Sequence, residues 1–155
     1  MSAYTYKTIM VKGAEFALQD EAKAGEAGIY PGHFLKYQTD GDFELQDESE
    51  TVGPALVAVE DTLQGKKISE AYTSGEQCLA RWIPVGGEVF AWGAPGHSVA
   101  RSALMTFAGY ESPGALGNAQ QSSANLGTGV MFMSLEAVDN SSGVVQVRIL
   151  VKRIR

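Results

Sequence analysis

Two histidines, His33 and His97, are the first residues to consider for chemistry, and each follows a Pro-Gly pair. A metal site in a protein needs three or four ligands, often with two histidines closely spaced on one helix face. No such spacing occurs in the sequence. It therefore favours turn histidines, solvated or hydrogen-bonded, over a metal site, unless the fold brings His33 and His97 together. We expect no metal and no cofactor.

Cys78 is the single cysteine and lies among apolar neighbours, so the chain cannot form an internal disulfide. This usage is typical of proteins that assemble in a reducing cytoplasm. A catalytic thiol needs a nearby base that lowers its pKa, and the sequence places none beside Cys78. We expect Cys78 to pack as a small apolar residue.

Three short motifs resemble chemical signatures and then depart from them. Asp40-Gly41-Asp42 begins like a calcium loop but lacks the later oxygen ligands, which favours a turn. Gly65-Lys66-Lys67 lacks the earlier glycine of a phosphate loop, because Glu60 occupies that position. Gly127-Thr128-Gly129 is an isolated Gly-x-Gly without a following helix signal. We therefore predict that the protein is not an enzyme.

Charge is unevenly distributed along the chain, which carries a net charge of −6. The net negative charge argues against general nucleic-acid binding. Residues 1–62 contain twelve acidic side chains. The last eight residues contain four basic side chains and no acidic one; these are Arg148, Lys152, Arg153 and Arg155. They either protect an edge strand from aggregation or dock on an acidic neighbour.

Composition places the chain among single globular domains, with 45% hydrophobic and 19% charged residues. No apolar run approaches the roughly 20 residues that span a bilayer. The first residues lack the apolar stretch of a secretory signal. We expect a soluble protein without a membrane partner.

The elements that position these residues are predicted to be strands, because eighteen glycines separate short apolar segments. This pattern favours an all-β barrel or sandwich with at most one or two short helices. Residues 144–154 alternate with period two and predict a strand, paired in a hairpin over residues 130–154 through a turn at 140–143. A second hairpin is predicted between residues 80–84 and 88–92.

Helix is scarce. Residues 14–27 have a helix-forming composition, although a strand through Phe16 and Leu18 followed by an acidic loop is the alternative. Residues 68–72 predict one helical turn capped by Ser69. The polar, glycine-rich residues 111–129 predict a long exposed loop. Residues 56–61 echo residues 135–140, which either marks a duplicated strand or arises by chance.

The first twelve residues predict an extended N-terminal arm, followed by one β-barrel domain over residues 13–155. Tyr4 and Tyr6 alternate within this arm, and a strand contributed to a neighbouring chain would bury them. The candidate contacts with a partner are therefore Tyr4, Tyr6 and Lys7 at one end, and Arg148, Lys152, Arg153 and Arg155 at the other.

Several segments together resemble one protein family. They comprise residues 28–35 with the following Asp-Gly turn, residues 58–66 with 68–72, residues 84–89, and residues 135–139 with 147–149. The sequences of these segments are similar to those of tailed-phage decoration (cement) proteins, which stabilise icosahedral heads. The matched motifs are turns and strands, so the resemblance transfers no catalytic residue. Residues 94–129 depart from the family pattern.

The resemblance implies a β-barrel, often a homotrimer, that binds the major capsid protein at three-fold and quasi-three-fold positions. It also implies a place on the outer capsid surface of the virion after assembly in the host cytoplasm. Two alternatives remain: another head or tail structural protein, and a lectin-like module that binds a glycan or host surface through Trp82, Trp92 and residues 111–129.

Overall fold

The computed structural model describes residues 8–47, 49–50, 54–108, 112–118 and 131–155. The chain is nearly all β, with 43% strand and 2% helix, and it contains a closed five-stranded barrel. The predicted fold class is confirmed. In the part of the chain that the structure describes, no helix is long and apolar enough to cross a membrane.

The described elements are short strands and a single 3₁₀ turn. In chain order they are β1 Met10–Lys12, the 3₁₀ turn η1 Ala14–Phe16, β2 Gln19–Lys23, β3 Phe34–Tyr37, β4 Phe43–Leu45, β5 Ser49–Glu50, β6 Leu56–Ala58, β7 Gln77–Trp82, β8 Glu88–Gly93, β9 Ser98–Val99, β10 Leu104–Ala108, β11 Leu116–Asn118, β12 Phe132–Ser134, β13 Val138–Asp139 and β14 Val147–Arg153.

The barrel follows the order β8-β11-β10-β12-β14, and antiparallel pairing of β14 with β8 closes it. That last pairing is the longest of the barrel and runs from Val147 opposite Gly93 to Lys152 opposite Glu88. β1 pairs with the start of β8, and β5 pairs with the end of β10. The end of the predicted N-terminal arm, from Met10 to Lys12, is thus part of this sheet.

A second sheet has the order β2-β7-β6-β3-β4. A parallel bridge joins Ala24, just after β2, to Phe43 in β4, and Gly25 N–H donates to the Phe43 carbonyl at 2.7 Å. The two outer strands of the sheet therefore meet at one end, and the sheet curves around a core of its own. β9 and β13 form a separate two-stranded sheet.

The two cores share β3 and β6 as a common wall. Phe34 packs in the barrel core, where its ring lies 5.3 Å from that of Phe107 and 4.9 Å from that of Phe132, measured between centroids. The next residue, Leu35, packs in the second core. Because successive side chains of a strand point to opposite faces, a strand buried on both faces serves both cores.

The predicted hairpin between residues 80–84 and 88–92 is wrong. β7 pairs with β2 and β6 in the second sheet, whereas β8 pairs with β1, β11 and β14 in the barrel. The chain changes sheets at a turn in which Gly87 N–H donates to the Pro84 carbonyl at 2.9 Å. Pro84 follows the end of β7, as predicted for a residue without an N–H donor.

The predicted hairpin over residues 130–154 is only partly correct. β12 pairs with the end of β14, from Phe132 opposite Arg153 to Ser134 opposite Val151. The intervening β13 leaves this ladder and pairs with β9, so the turn at residues 140–143 does not join the paired strands. The last strand begins at Val147, and Val145 is exposed before it.

Neither of the two helical predictions is correct. Residues 14–27 form neither a helix nor a strand through Phe16 and Leu18, because η1 stops after one turn and β2 begins at Gln19. Residues 68–72 form a turn, with Glu70 N–H donating to the Lys67 carbonyl, and no helix.

Part of the loop predicted at residues 111–129 is a strand. β11 pairs with β10, and Leu116 is buried in the barrel core; residues 119–129 of the predicted loop lie outside the described residues. The echoing segments at 56–61 and 135–140 differ in structure, since β6 is an inner strand of the second sheet, whereas β13 belongs to a separate sheet in which its described partner is β9.

Candidate interaction surface

Arg148, a predicted contact residue, is engaged inside the molecule. Its guanidinium carbon lies 4.6 Å from the ring centroid of Trp92. Nη2 donates to the carbonyls of Pro31, at 3.1 Å, and of Ile68. Trp92 Nε1 donates to the same Pro31 carbonyl at 3.0 Å. Arg148 therefore joins β14 and β8 to two turns of the second sheet.

Two of the other basic residues are also tied to neighbouring segments. Arg153 donates to the Ile83 carbonyl through Nη1 and to the Arg155 carbonyl through Nε, at 3.1 Å for the latter. Arg155 Nη2 lies 3.9 Å from Met131 Sδ. Lys152 is half-buried opposite Glu88. The C-terminal segment thus uses several of its charges to contact other parts of the molecule.

The remaining predicted contacts, Tyr4, Tyr6 and Lys7, lie outside the described residues. The described chain begins at Thr8, and Ile9 N–H donates to Glu60 Oε2 at 3.0 Å. Ile9 is fully buried. The chain is therefore anchored to the barrel from Ile9 onward.

An exposed apolar surface surrounds η1, and sequence reasoning did not find it. Val11, Phe16 and Leu18 expose 46%, 76% and 73% of their surface. Phe16 N–H donates to the Gly13 carbonyl at 3.1 Å, but the backbone becomes extended at Ala17 and ends the turn there. We call Val11, Phe16 and Leu18 the apolar face.

A groove of about 440 Å³ adjoins the apolar face and lies between β1, the β2–β7 pair and the segment 59–64. Met10, Val59 and Leu79 contribute apolar side chains to it. Among the described residues that line it are three carboxylates, those of Glu21, Glu60 and Asp61, and one basic residue, Arg81. The groove combines an apolar lining with an excess of negative charge.

Three of the four charged groups of this groove, those of Glu60, Asp61 and Arg81, are held by backbone groups around it, whereas the exposed Glu21 carboxylate accepts from the Gln19 side chain. Arg81 Nη1 donates to the Ala14 carbonyl at 3.1 Å. Asp61 Oδ1 accepts from the N–H groups of Leu63 and Gln64 at 3.1 and 3.2 Å, and Glu60 accepts from Ile9 as described. Carboxylates held in this way need little reorganisation to meet a cationic group.

His33 is a buried, hydrogen-bonded turn histidine, as predicted. Its Nδ1 accepts from Tyr30 N–H at 3.1 Å, so the proton lies on Nε2, which donates to Gln146 Oε1 at 2.8 Å. Burial lowers the pKa of His33 to about 4, the Gln146 hydrogen bond opposes this shift, and the charge of Arg148 adds to it. Its role is to join the 30–33 turn to the segment before β14.

Cys78 packs in the second core, as predicted. Burial raises the pKa of its thiol to about 12, which disfavours the nucleophilic thiolate. His97 stands in the turn before β9, where its carbonyl accepts from Asn140 N–H at 3.2 Å. Among the described residues, no group of three or more His, Cys, Asp or Glu side chains is arranged to hold a metal.

The two tryptophans do not share a site. Trp92 is covered by Arg148, whereas Trp82 stacks on Tyr37 at the end of the second sheet, with ring centroids 6.4 Å apart and planes at 30°. Tyr37 OH donates to Asp20 Oδ2, and the Tyr37 ring is partly exposed. Trp82, Tyr37 and Asp20 form a small aromatic and acidic cluster on the surface.

Fold and surface together define a small all-β barrel protein with an apolar face beside an acidic groove. No protein-family model matches the chain, and a search of curated proteins finds no significant match.

Proposed function

We propose that this chain is a structural virion protein that binds the outside of an icosahedral tailed-phage head and stabilises the lattice of its major capsid protein. Its working form is a homotrimer at three-fold and quasi-three-fold positions, and it carries out no catalysis. The proposal builds on the sequence resemblance. In the structure, the apolar face is the observation that supports it most strongly.

The apolar face supports a protein partner because large apolar side chains exposed together are typical of interaction surfaces. Phe16 and Leu18 are both more than two-thirds exposed on an otherwise acidic molecule. They follow Gly13, whose left-handed φ of 84° ends β1, and the neighbouring Ala14 and Ala17 pack against the barrel core. The fold therefore presents these side chains on a rigid support.

A head-binding experiment tests the proposal. Purified protein is added to expanded tailed-phage heads assembled without it, and the bound amount and the temperature of head disruption are measured. We expect saturable binding and a higher disruption temperature, since each added contact surface joins neighbouring capsid subunits. Binding that neither saturates nor changes the disruption temperature would contradict the proposal.

A second candidate function is glycan binding, favoured by the cluster of Asp20, Tyr37 and Trp82. A partly exposed aromatic ring beside a carboxylate provides an apolar surface and a hydrogen-bond acceptor, two groups that suit a sugar ring. Screening the protein against a glycan array, with Tyr37→Ala as the variant, distinguishes the two functions. Tyr37-dependent glycan binding without head binding would favour this candidate over the first.

A further inference from the structure

Among the residues that the structure describes, no strand pairs with most of the β2 edge that faces away from β7. Trp82 N–H donates to the Leu18 carbonyl, and Ala24 N–H donates to the Glu76 carbonyl, so the even-numbered residues pair with β7. Because hydrogen-bonding groups alternate along a strand, those of Gln19, Glu21 and Lys23 point to the other edge. Among the described residues, that edge is paired only beyond Lys23, through the Ala24–Phe43 bridge.

The same edge borders the acidic groove, since the side chains of Gln19 and Glu21 line it. Within the described part of the chain, Glu21 N–H donates to the exposed Oδ1 of its neighbour Asp20, at 2.9 Å, and to no other acceptor. An incoming carbonyl can replace this local acceptor at little cost, because both groups are exposed to water. Open backbone groups and a lined groove therefore lie side by side.

The charges of the groove indicate which strand would fit. Glu21, Glu60 and Asp61 contribute negative charge, whereas the guanidinium of Arg81 is held by the Ala14 carbonyl. Side chains of an added strand alternate between two faces, so every second one would enter the groove. A long basic side chain there would extend over β2 beside Glu21, which is opposite Leu79 of β7, and bring its charge toward the carboxylates.

We propose that the open edge of β2 and the acidic groove form a docking site for an extended segment of a partner protein, in which basic residues alternate with apolar ones. The segment adds a strand to the second sheet beside β2, and its basic side chains enter the groove. Backbone hydrogen bonds supply affinity and the groove supplies selectivity, as in other cases of strand addition. This inference goes beyond the proposed function, because it holds for any partner that carries such a segment.

A peptide-binding measurement tests the site on the full chain. The probe is a fluorescein-labelled, acetylated and amidated peptide of sequence Lys-Val-Lys-Val-Lys-Val, and the readout is fluorescence anisotropy. We expect saturable binding to the wild type and a Kd at least fivefold weaker for Glu21→Gln. Asp139→Asn is the matched control: it removes one exposed carboxylate that does not line the groove, and its Kd should equal that of the wild type.

Two comparisons separate strand addition from simple charge attraction. The fully N-methylated peptide keeps every charge and side chain but has no backbone N–H donors, and we expect its Kd to be at least tenfold weaker. Equal binding of both peptides, or equal weakening by Glu21→Gln and Asp139→Asn, would overturn the proposal. Self-association of the chain would also overturn the proposal if sedimentation shows it for wild type and not for Glu21→Lys. A second copy of the chain would then occupy the β2 edge. The peptide assay contains no phage heads, so its result is independent of the head-binding experiment.

Discussion

At the residue scale, Arg148 has a structural role that accounts for its place on β14. Its guanidinium covers Trp92 and donates to the carbonyls of Pro31 and Ile68. A half-buried cation on an aromatic face contributes about 0.5–2 kcal/mol, and hydrogen bonds from a charged donor contribute about 1.5–3 kcal/mol each. Arg148 therefore stabilises the junction between the barrel and the second sheet.

We expect Arg148→Ala to lower the free energy of unfolding by about 3 kcal/mol, since it removes the cation–π contact and leaves two carbonyls without this donor. Lys152→Ala, on the same strand, is the control and should cost less than about 1 kcal/mol, as is usual for half-exposed charges. Urea unfolding followed by fluorescence measures both. Equal losses in the two variants would contradict the role assigned to Arg148.

His33 makes stability depend on pH. Because the folded pKa of about 4 lies below the ordinary value of 6.5, the unfolded chain binds more protons between these values. The contribution of His33 to the stability of the folded state is thus complete above pH 6.5 and is lost as the pH falls toward 4. Between pH 4 and 6.5, the free energy of unfolding should rise with pH more steeply for wild type than for His33→Gln, by up to about 1.4 kcal/mol per pH unit. Identical slopes in unfolding titrations would disprove the assignment.

At the element scale, Gly32 permits the close contact between the second sheet and β8. Its φ is +98°, and an added Cβ would lie 2.8 Å from the Phe90 carbonyl oxygen. We expect Gly32→Ala to destabilise the fold by more than about 3 kcal/mol, through both backbone strain and steric overlap. Gly41→Ala is the control, because Gly41 has a φ of +92° but open space around it, and it should cost about 1–2 kcal/mol. Thermal unfolding of the two variants separates the cost of steric overlap at Gly32 from the cost of backbone strain alone at Gly41.

The elements also show what the sequence can and cannot predict. The strand through Ile149 and Val151 and the turn at Asp40-Gly41-Asp42 follow from local alternation and turn chemistry, and both were predicted. The change of sheet at Pro84 depends on which distant strands pair with β7 and β8, and no local pattern encodes that choice. The sequence did not predict the exposure of Phe16 or the groove beside β2, because both depend on how distant segments pack and not on a local pattern.

At the scale of the whole molecule, the common wall of β3 and β6 couples the two cores. Trp82 packs against the second core and Trp92 lies on the barrel strand β8, so single-tryptophan variants report the two regions separately. We expect Trp82→Phe and Trp92→Phe chains to unfold in one transition each, with coincident fluorescence and circular-dichroism midpoints. Clearly separate midpoints within one variant would show that the cores unfold independently.

We expect the apolar face to bind the capsid shell, and co-sedimentation with expanded heads measures this binding. We compare wild type with the double variant Phe16→Ser/Leu18→Ser, and use Val144→Ser as the control, since Val144 is an equally exposed apolar residue outside this face. We expect saturable binding for wild type and Val144→Ser, and at least tenfold weaker binding for the double variant. Equal binding of all three proteins, or binding by none, would contradict this expectation.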